Sequence, residues 1–153
     1  MTPLAKNVDR PVKSAGRIKS FAVEDSVHIY KGALVALNNA GFVEPATNAI
    51  GKILAGVAIE ECNNTLAGHS QGGKSVRVWQ KGVFRFASAG IVQAEVGLKC
   101  YVSDDNTVED AGTDTTGVEA GVVVELETTD IVWVDIEPAV EVGVLSTAVN
   151  ADE

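Results

Sequence analysis

The segment Gly68–Ser75 carries the residue types of a phosphate-binding loop. Its sequence, GHSQGGKS, fits the pattern G-x-x-x-x-G-K-[S/T], in which backbone amides surround a phosphate, the lysine contacts it and the hydroxyl binds Mg²⁺. The apolar run that ends at Asp135 resembles the strand that supplies an Mg²⁺-binding aspartate. Such a loop must lead into a helix whose N-terminus holds the phosphate. Residues 76–82 alternate like a strand and end at glycine, so we predict a connecting loop there.

The same loop matches a second catalytic pattern, the G-x-S-x-G turn of serine hydrolases, with Ser70 as the nucleophile. That turn also requires a helix after the serine, and its partner histidine follows later in the chain. The two histidines, His28 and His69, both precede Ser70. We therefore predict no catalytic residues, and we expect that the protein is not an enzyme.

The remaining side chains that could bind a metal or form a disulfide are two histidines, two cysteines and an acidic run. His28, His69, Cys62 and Cys100 lack the spacing of a zinc site. The acidic run over residues 104–110 lacks the spacing of a Ca²⁺ loop, which predicts a tight turn and no metal or cofactor site. The simplest interpretation of the two cysteines is that they are buried thiols in a reducing compartment; one disulfide between them is the alternative.

Short apolar segments separated by Gly, Asn and Asp turns dominate the chain, and none shows a helical stripe of ten or more residues. This pattern predicts an all-β protein, a small β-sandwich or barrel of about eight short strands with an extended N-terminal arm. The predicted strands are Phe21–Val27, Gly32–Leu37, Ile53–Ile59, Ser75–Gln80, Val83–Ala87, Leu98–Val102, Val122–Leu126 and Ile131–Ile136.

Alternation within these strands predicts which side chains face the core, because successive residues of a strand point to opposite sides. The core-facing rows are Val122, Val124 and Leu126 in one strand, Val132, Val134 and Ile136 in the next, and Phe84 and Phe86 in a third. The short polar link at residues 127–130 predicts a hairpin between the last two strands. Trp79 and Trp133 fall on the opposite faces, as interface anchors or as a second buried layer.

Charge divides the chain into regions. Residues 1–19 have no apolar periodicity, and we expect them to form a basic arm that adds little to the core; its cations are Lys6, Arg10, Lys13, Arg17 and Lys19. Residues 20–137 form the β domain, and residues 138–153 form an acidic tail or, over 140–145, an edge strand. No apolar run is long enough to cross a membrane, and the N-terminus is not a secretory signal.

The net charge of −9 is unevenly distributed. All 12 Lys and Arg residues precede Tyr101, whereas the segment 101–153 carries 14 Asp and Glu residues. Phosphate would be repelled by this acidic third, so we expect no nucleic-acid partner. The same polarity suits contacts in which a basic region of one molecule meets an acidic region of another. A solvated acidic surface that maintains solubility is the alternative.

A further pattern is the order of six segments along the chain: Tyr30–Leu37, Pro45-Ala46, Leu54–Ala58, Lys81–Phe84, Leu98–Asp105 and Gly121–Leu126. Over about residues 21–136, this order resembles the small capsid decoration, or cement, proteins of tailed bacteriophages. It implies a non-enzymatic β protein that binds the outside of the expanded head, with the major capsid protein and other copies of itself as partners. A trimer and a location on the virion surface, after synthesis in the host cytoplasm, are also implied.

Two other functions stay open on sequence alone. One is a nucleotide-binding enzyme built on Gly68–Ser75 and Asp135, and its test is whether a helix or a strand follows Ser75. The other is a module that recognises a glycan or a host surface, which needs Trp79 or Trp133 exposed in a groove. In the decoration interpretation the basic side chains of residues 1–19 contact the capsid or a neighbouring copy.

Overall fold

The computed structural model describes residues 2–15 and 17–147, and these residues form β-strands with very little helix. The strands are β1 (Val12–Ala15), β2 (Ile18–Ala22), β3 (His28–Ile29), β4 (Leu34–Leu37), β5 (Val43–Pro45), β6 (Ile53–Ala58), β7 (Cys62–Asn63), β8 (Ser75–Trp79), β9 (Gly82–Ala89), β10 (Lys99–Val102), β11 (Thr107–Glu109), β12 (Glu119–Thr128) and β13 (Ile131–Asp135). A 3₁₀ turn spans Gln93–Glu95, and the single described α-helix, α1, spans Glu137–Val140.

Five strands close into a barrel. Their order around the ring is β9, β11, β10, β12 and β13, and the β9–β13 pairing closes it. Only β9 and β11 run parallel; the other pairs are antiparallel. The long strand β9 contributes its second half to β11, while its first half pairs with β1 from the N-terminal segment. Closure pairs the edges that an open sheet would expose.

A second sheet of five strands packs beside the barrel in the order β2, β8, β6, β4 and β5. It curls, and an isolated bridge between Val23 and Val43 joins its two ends. The two-stranded pair β3–β7 lies next to β5. The all-β prediction, a small sandwich or barrel of short strands, is therefore confirmed.

Two apolar clusters form the core, and the central strands β4 and β6 contribute to both. Leu34 and Leu54 belong to the cluster that fills the barrel and its contact with the second sheet. Val35 and Ala55, their chain neighbours, belong to the cluster inside the curled sheet. A strand buried on both faces has a continuous apolar run in place of alternation, as in β4 and β6.

All eight predicted strands overlap a strand of the structure; Phe21–Val27 shares only two residues with β2, and the ends of the other seven differ by at most three residues. The five strands that the sequence pattern missed are β1, β3, β5, β7 and β11. Each has two to four residues, too few to show a period-two pattern. Only their hydrogen bonding to other segments of the chain defines them as strands.

The predicted core rows are confirmed in two of three strands. Val132, Val134 and Ile136 are fully buried in the barrel cluster, and so are Phe84 and Phe86 at 1% exposure. The predicted hairpin is also present, since β12 and β13 pair antiparallel.

The predicted row in β12 is wrong. Val123 is buried at 1% exposure, whereas Val124, predicted to face the core, is 42% exposed. The pairing with β13 shifts register between Val123 and Glu125, and an irregularity of this kind adds a residue that reverses which side chains point inward. Leu126 returns to the core side beyond it.

The C-terminal residues 138–147 do not form the alternative edge strand. Pro138 occupies the first turn of α1, where its missing N–H costs nothing, and Ala139 is buried against the barrel cluster. Beyond the helix the chain is irregular, and Ser146 exchanges backbone hydrogen bonds with residues 51 and 52. Residues 148–153 of the predicted tail lie outside the described residues.

Candidate functional surfaces

The phosphate-loop match at Gly68–Ser75 is a connection between strands. Ser75 is the first residue of β8, so a strand follows the loop, as the alternation predicted. The Lys74 ammonium donates to the backbone carbonyl of Asn63 at 2.8 Å. Asp135 ends β13 of the barrel, whereas β8 belongs to the other sheet. This loop lacks the helix N-terminus that a phosphate site needs.

The histidines are engaged with carboxylates. His69 Nδ1 lies 2.5 Å from Asp25 Oδ1, and His28 Nε2 lies 2.6 Å from Glu61 Oε2. Within the described residues, no hydrogen bond connects either ring to Ser70. A serine nucleophile needs a hydrogen bond to its base, so these histidine positions do not support the serine-hydrolase pattern.

Cys62 and Cys100 are both free and buried, and they belong to different core clusters. Burial raises the pKa of the Cys100 thiol to about 12 and also raises the pKa of Cys62, so both are poor nucleophiles at neutral pH. No three His, Cys, Asp or Glu side chains in residues 2–15 and 17–147 are arranged to hold a metal ion.

Neither tryptophan offers an exposed stacking surface. Trp79 is half-buried and packs against the barrel cluster. Trp133 is 9% exposed, and its Nε1 donates to Glu127 Oε1 at 3.0 Å. A glycan platform requires an accessible aromatic face, so the tryptophans do not support that alternative.

Arg10, one of the five predicted contact residues, is used inside the molecule. Its Nε donates to the Gly32 carbonyl at 2.9 Å, one terminal nitrogen donates to the Arg85 carbonyl at 3.1 Å, and the other contacts Asn106 Oδ1. The guanidinium carbon lies 5.0 Å from the centre of the Phe86 ring. These contacts join the second sheet to the barrel.

Hydrogen bonds from backbone amides also fix the segment around Arg10 to the rest of the protein. The Val8 amide donates to the Lys31 carbonyl at 2.8 Å, and the Leu4 amide donates to Asp105 Oδ1 at 2.8 Å. Gly32, at φ +88°, lets Val8 approach closely, since a Cβ there would stand 2.3 Å from the Val8 carbonyl oxygen. Leu4 packs against the core cluster of the curled sheet. The expectation that the arm adds little to the core is therefore wrong at Leu4 and Arg10.

Of the other four basic residues, Lys13 and Lys19 lie in strands of different sheets, and Lys6 and Arg17 lie outside the strands. Lys6, Arg17 and Lys19 are exposed, and the Lys19 ammonium lies 4.9 Å from the Phe21 ring centre. Lys13 lies in β1, which pairs with the barrel; its side chain is outside the described residues. That these residues contact a neighbour stays a prediction.

Strand β2 forms an edge of the second sheet, a feature that the sequence pattern missed. It pairs with β8 on one side, and no described strand pairs with Ile18–Ala22 on the other. Ile18 is 49% exposed beside the exposed Lys19. An unpaired edge offers backbone donors and acceptors to another chain. The signal that could have revealed it was the apolar Ile18 within a basic segment.

No family model, curated protein or solved structure matches this chain. Among the described residues, no helix has the length and apolarity needed to cross a membrane.

Proposed function

We propose that the protein decorates the capsid of a tailed bacteriophage, binding the outer surface of the expanded head and stabilising it by bridging neighbouring capsid subunits. Its partners are the major capsid protein and other copies of itself, most simply as a trimer, and it acts on the virion surface after synthesis in the host cytoplasm. The resemblance of residues 21–136 to cement proteins suggests this role. The observation that carries it is the exposed, basic edge strand β2.

The β2 edge supplies two kinds of contact to an adjacent subunit. Its unpaired backbone groups can extend the sheet with a strand from the partner, an established mode of recognition. Arg17 and Lys19 are exposed there and provide charge for an acidic surface. Exposed ion pairs contribute only about 0.2–1 kcal/mol each, so the backbone pairing and Ile18 must add to them.

The acidic segment 101–153 supports contacts between copies. It holds no Lys or Arg, whereas β2 of an adjacent copy would present cations. A ligand that binds only the native assembly stabilises it by mass action, so many weak contacts repeated over a shell increase its stability. The strand after Ser75 gives no support to the nucleotide-binding alternative, and the half-buried Trp79 and buried Trp133 give none to the glycan-binding alternative.

Sedimentation with purified, expanded and undecorated heads tests the proposal. Wild-type protein should co-sediment with heads, and increasing salt should weaken the binding because exposed charges are screened. Lys19→Glu should reduce occupancy several-fold. Lys81→Glu is the matched control, since it makes the same charge change at an exposed site in the β8–β9 connection. Absence of binding by wild-type protein, or equal loss in both variants, would contradict the proposal.

A further inference from the structure

Glu109 is a buried carboxyl group on the outer side of the barrel. Its neighbour Val108 belongs to the barrel core, so Glu109 faces outward, yet it is only 4% exposed. The pairings place Glu109 opposite Tyr101 of β10, and Tyr101 opposite Glu119 of β12. These three side chains form a row across the outer face of the sheet.

Loop 110–117, which follows β11, covers this row of side chains. The amides of Thr113 and Asp114 both donate to the Asp110 carbonyl, at 3.2 and 3.1 Å, and fold the loop back. The Gly117 amide donates to Asp114 Oδ2 at 2.7 Å. Asp114 is 7% exposed, so the loop brings a second buried carboxyl group to the site.

Three carboxyl oxygens at this place have no hydrogen-bond partner among the described residues: Glu109 Oε1, Asp110 Oδ1 and Asp114 Oδ1. Buried charges without partners are strongly unfavourable, so such groups are normally paired, bound to a metal or neutral. No three acidic side chains in the described part of the chain are arranged to hold a metal. A proton on one of these carboxyl groups would supply a hydrogen-bond donor for another.

We propose that Glu109 carries a proton that it donates to Asp114, and that loss of this proton on raising the pH releases loop 110–117 from the barrel. The protonated Glu109 would donate to Asp114 and so satisfy an oxygen on each side chain. This pH response is a property of the protein alone and does not depend on capsid binding.

The electrostatics agree with this geometry. Burial, and then the negative charge of Asp114, raise the pKa of Glu109 from its ordinary 4.5 to about 7; Asp110 adds to the increase, and a hydrogen bond from Ser103 opposes it. Ionisation in the unfolded chain occurs near the ordinary value. The folded state is therefore favoured by protons, and its stability falls as pH rises from about 4.5 to about 7.

The groups on the adjoining strands do not neutralise the pair. Glu119 adds another carboxyl group from β12, and its partner Lys99, at 3.4 Å, is 61% exposed. Burial and the charge of Glu119 raise the pKa of Tyr101, which keeps the phenol uncharged at neutral pH. Beside the row lies a cavity of about 300 Å³, lined by Tyr101, Asp114, Glu119, Val144 and Leu145 among others. Release of the loop would open this cavity.

The test combines unfolding with site-specific titration. Urea unfolding of the wild type should show a lower midpoint at pH 8.5 than at pH 5.5. Glu109→Gln, which imitates the neutral acid, should remove most of that difference, and Asp114→Asn should reduce it. Glu125→Gln, an exposed acid on β12, is the control and should keep the wild-type profile.

Two measurements on the wild-type protein make the test independent of variant folding. The carboxyl carbon resonance of Glu109 should titrate with a midpoint of about 7, and the Gly117 amide should lose protection from hydrogen exchange above that pH. A Glu109 midpoint near 4.5, or an unchanged Gly117 amide, would overturn the proposal. Saturable stabilisation by CaCl₂ at pH 8.5 would also overturn it, because a cation would then replace the proton.

Discussion

Arg10 is a partly buried cation whose guanidinium donates to a backbone carbonyl beside the second sheet and to another in the barrel. Its contacts reach Gly32 before β4 and Arg85 in β9, and they also include Asn106 between β10 and β11. Burial lowers its pKa to about 10, although the nearby Asp105 opposes this effect, so the guanidinium stays charged at neutral pH. The planar group suits this position because it donates in several fixed directions at once.

We expect Arg10→Lys to lower the free energy of unfolding by about 2 kcal/mol, because an ammonium cannot reach all three acceptors and leaves buried carbonyls unsatisfied. Arg17→Lys, the same change at an exposed site, should alter it by less than about 0.5 kcal/mol. Urea unfolding followed by tryptophan fluorescence measures both. Equal effects of the two substitutions would mean that the contacts of Arg10 contribute no stability.

At the scale of elements, the irregularity in β12 decides which side chains enter the barrel. Val123 and Val124 are consecutive valines, and the sequence alternation favoured the second as a core residue. The structure buries the first and exposes the second, because the register with β13 shifts at this point. Two adjacent residues of the same type thus occupy opposite environments.

This pair provides a sharp test of the strand register. Val123→Asp should prevent folding or cost more than about 4 kcal/mol, since it places an unpaired carboxylate in the barrel core. Val124→Asp should cost less than about 1 kcal/mol because its side chain reaches solvent. Circular dichroism melts of the two variants give the ranking. The opposite ranking would restore the register predicted from the alternation.

For the whole molecule, the two core clusters are joined through shared strands. Strands β4 and β6 direct alternate side chains into the barrel cluster and into the curled-sheet cluster. Neither cluster can lose its packing without exposing one face of these strands. The N-terminal segment adds a second link, since Leu4 packs in one cluster and Arg10 lies over Phe86 of the other.

We therefore expect the described domain to unfold in one cooperative transition. Trp133 lies in β13 of the barrel, and Trp79 lies in β8 but packs against the barrel cluster, so Trp79→Phe and Trp133→Phe give two single-tryptophan proteins that report on the barrel cluster. Within each protein, fluorescence and far-ultraviolet circular dichroism should give coincident unfolding curves. Val35→Ala, placed in the curled-sheet cluster, should lower the midpoint in both proteins. A circular dichroism midpoint that falls while the fluorescence midpoint of both proteins stays unchanged would show that the clusters unfold separately.

The sequence by itself determined the fold class, the eight main strands and the hairpin between β12 and β13. It also determined the core rows at Val132–Ile136 and Phe84–Phe86, and the strand that follows Gly68–Ser75. These features depend on local alternation and on turn residues, which act within a few positions of the chain. The phosphate-loop pattern at Gly68–Ser75 could be rejected from sequence for the same reason, because the seven residues that follow it predict a strand and not a helix.

Only the tertiary structure decided the closure of the barrel, the short strands, the exposed β2 edge and the environments of Arg10 and Glu109. An arginine in a polar segment and a glutamate in an acidic run have the sequence signature of solvated residues. Arg10 is partly buried and Glu109 is almost fully buried because distant segments cover them: the second sheet and barrel meet around Arg10, and loop 110–117 folds over Glu109. Burial of this kind depends on the packing of whole elements, which local sequence pattern does not encode.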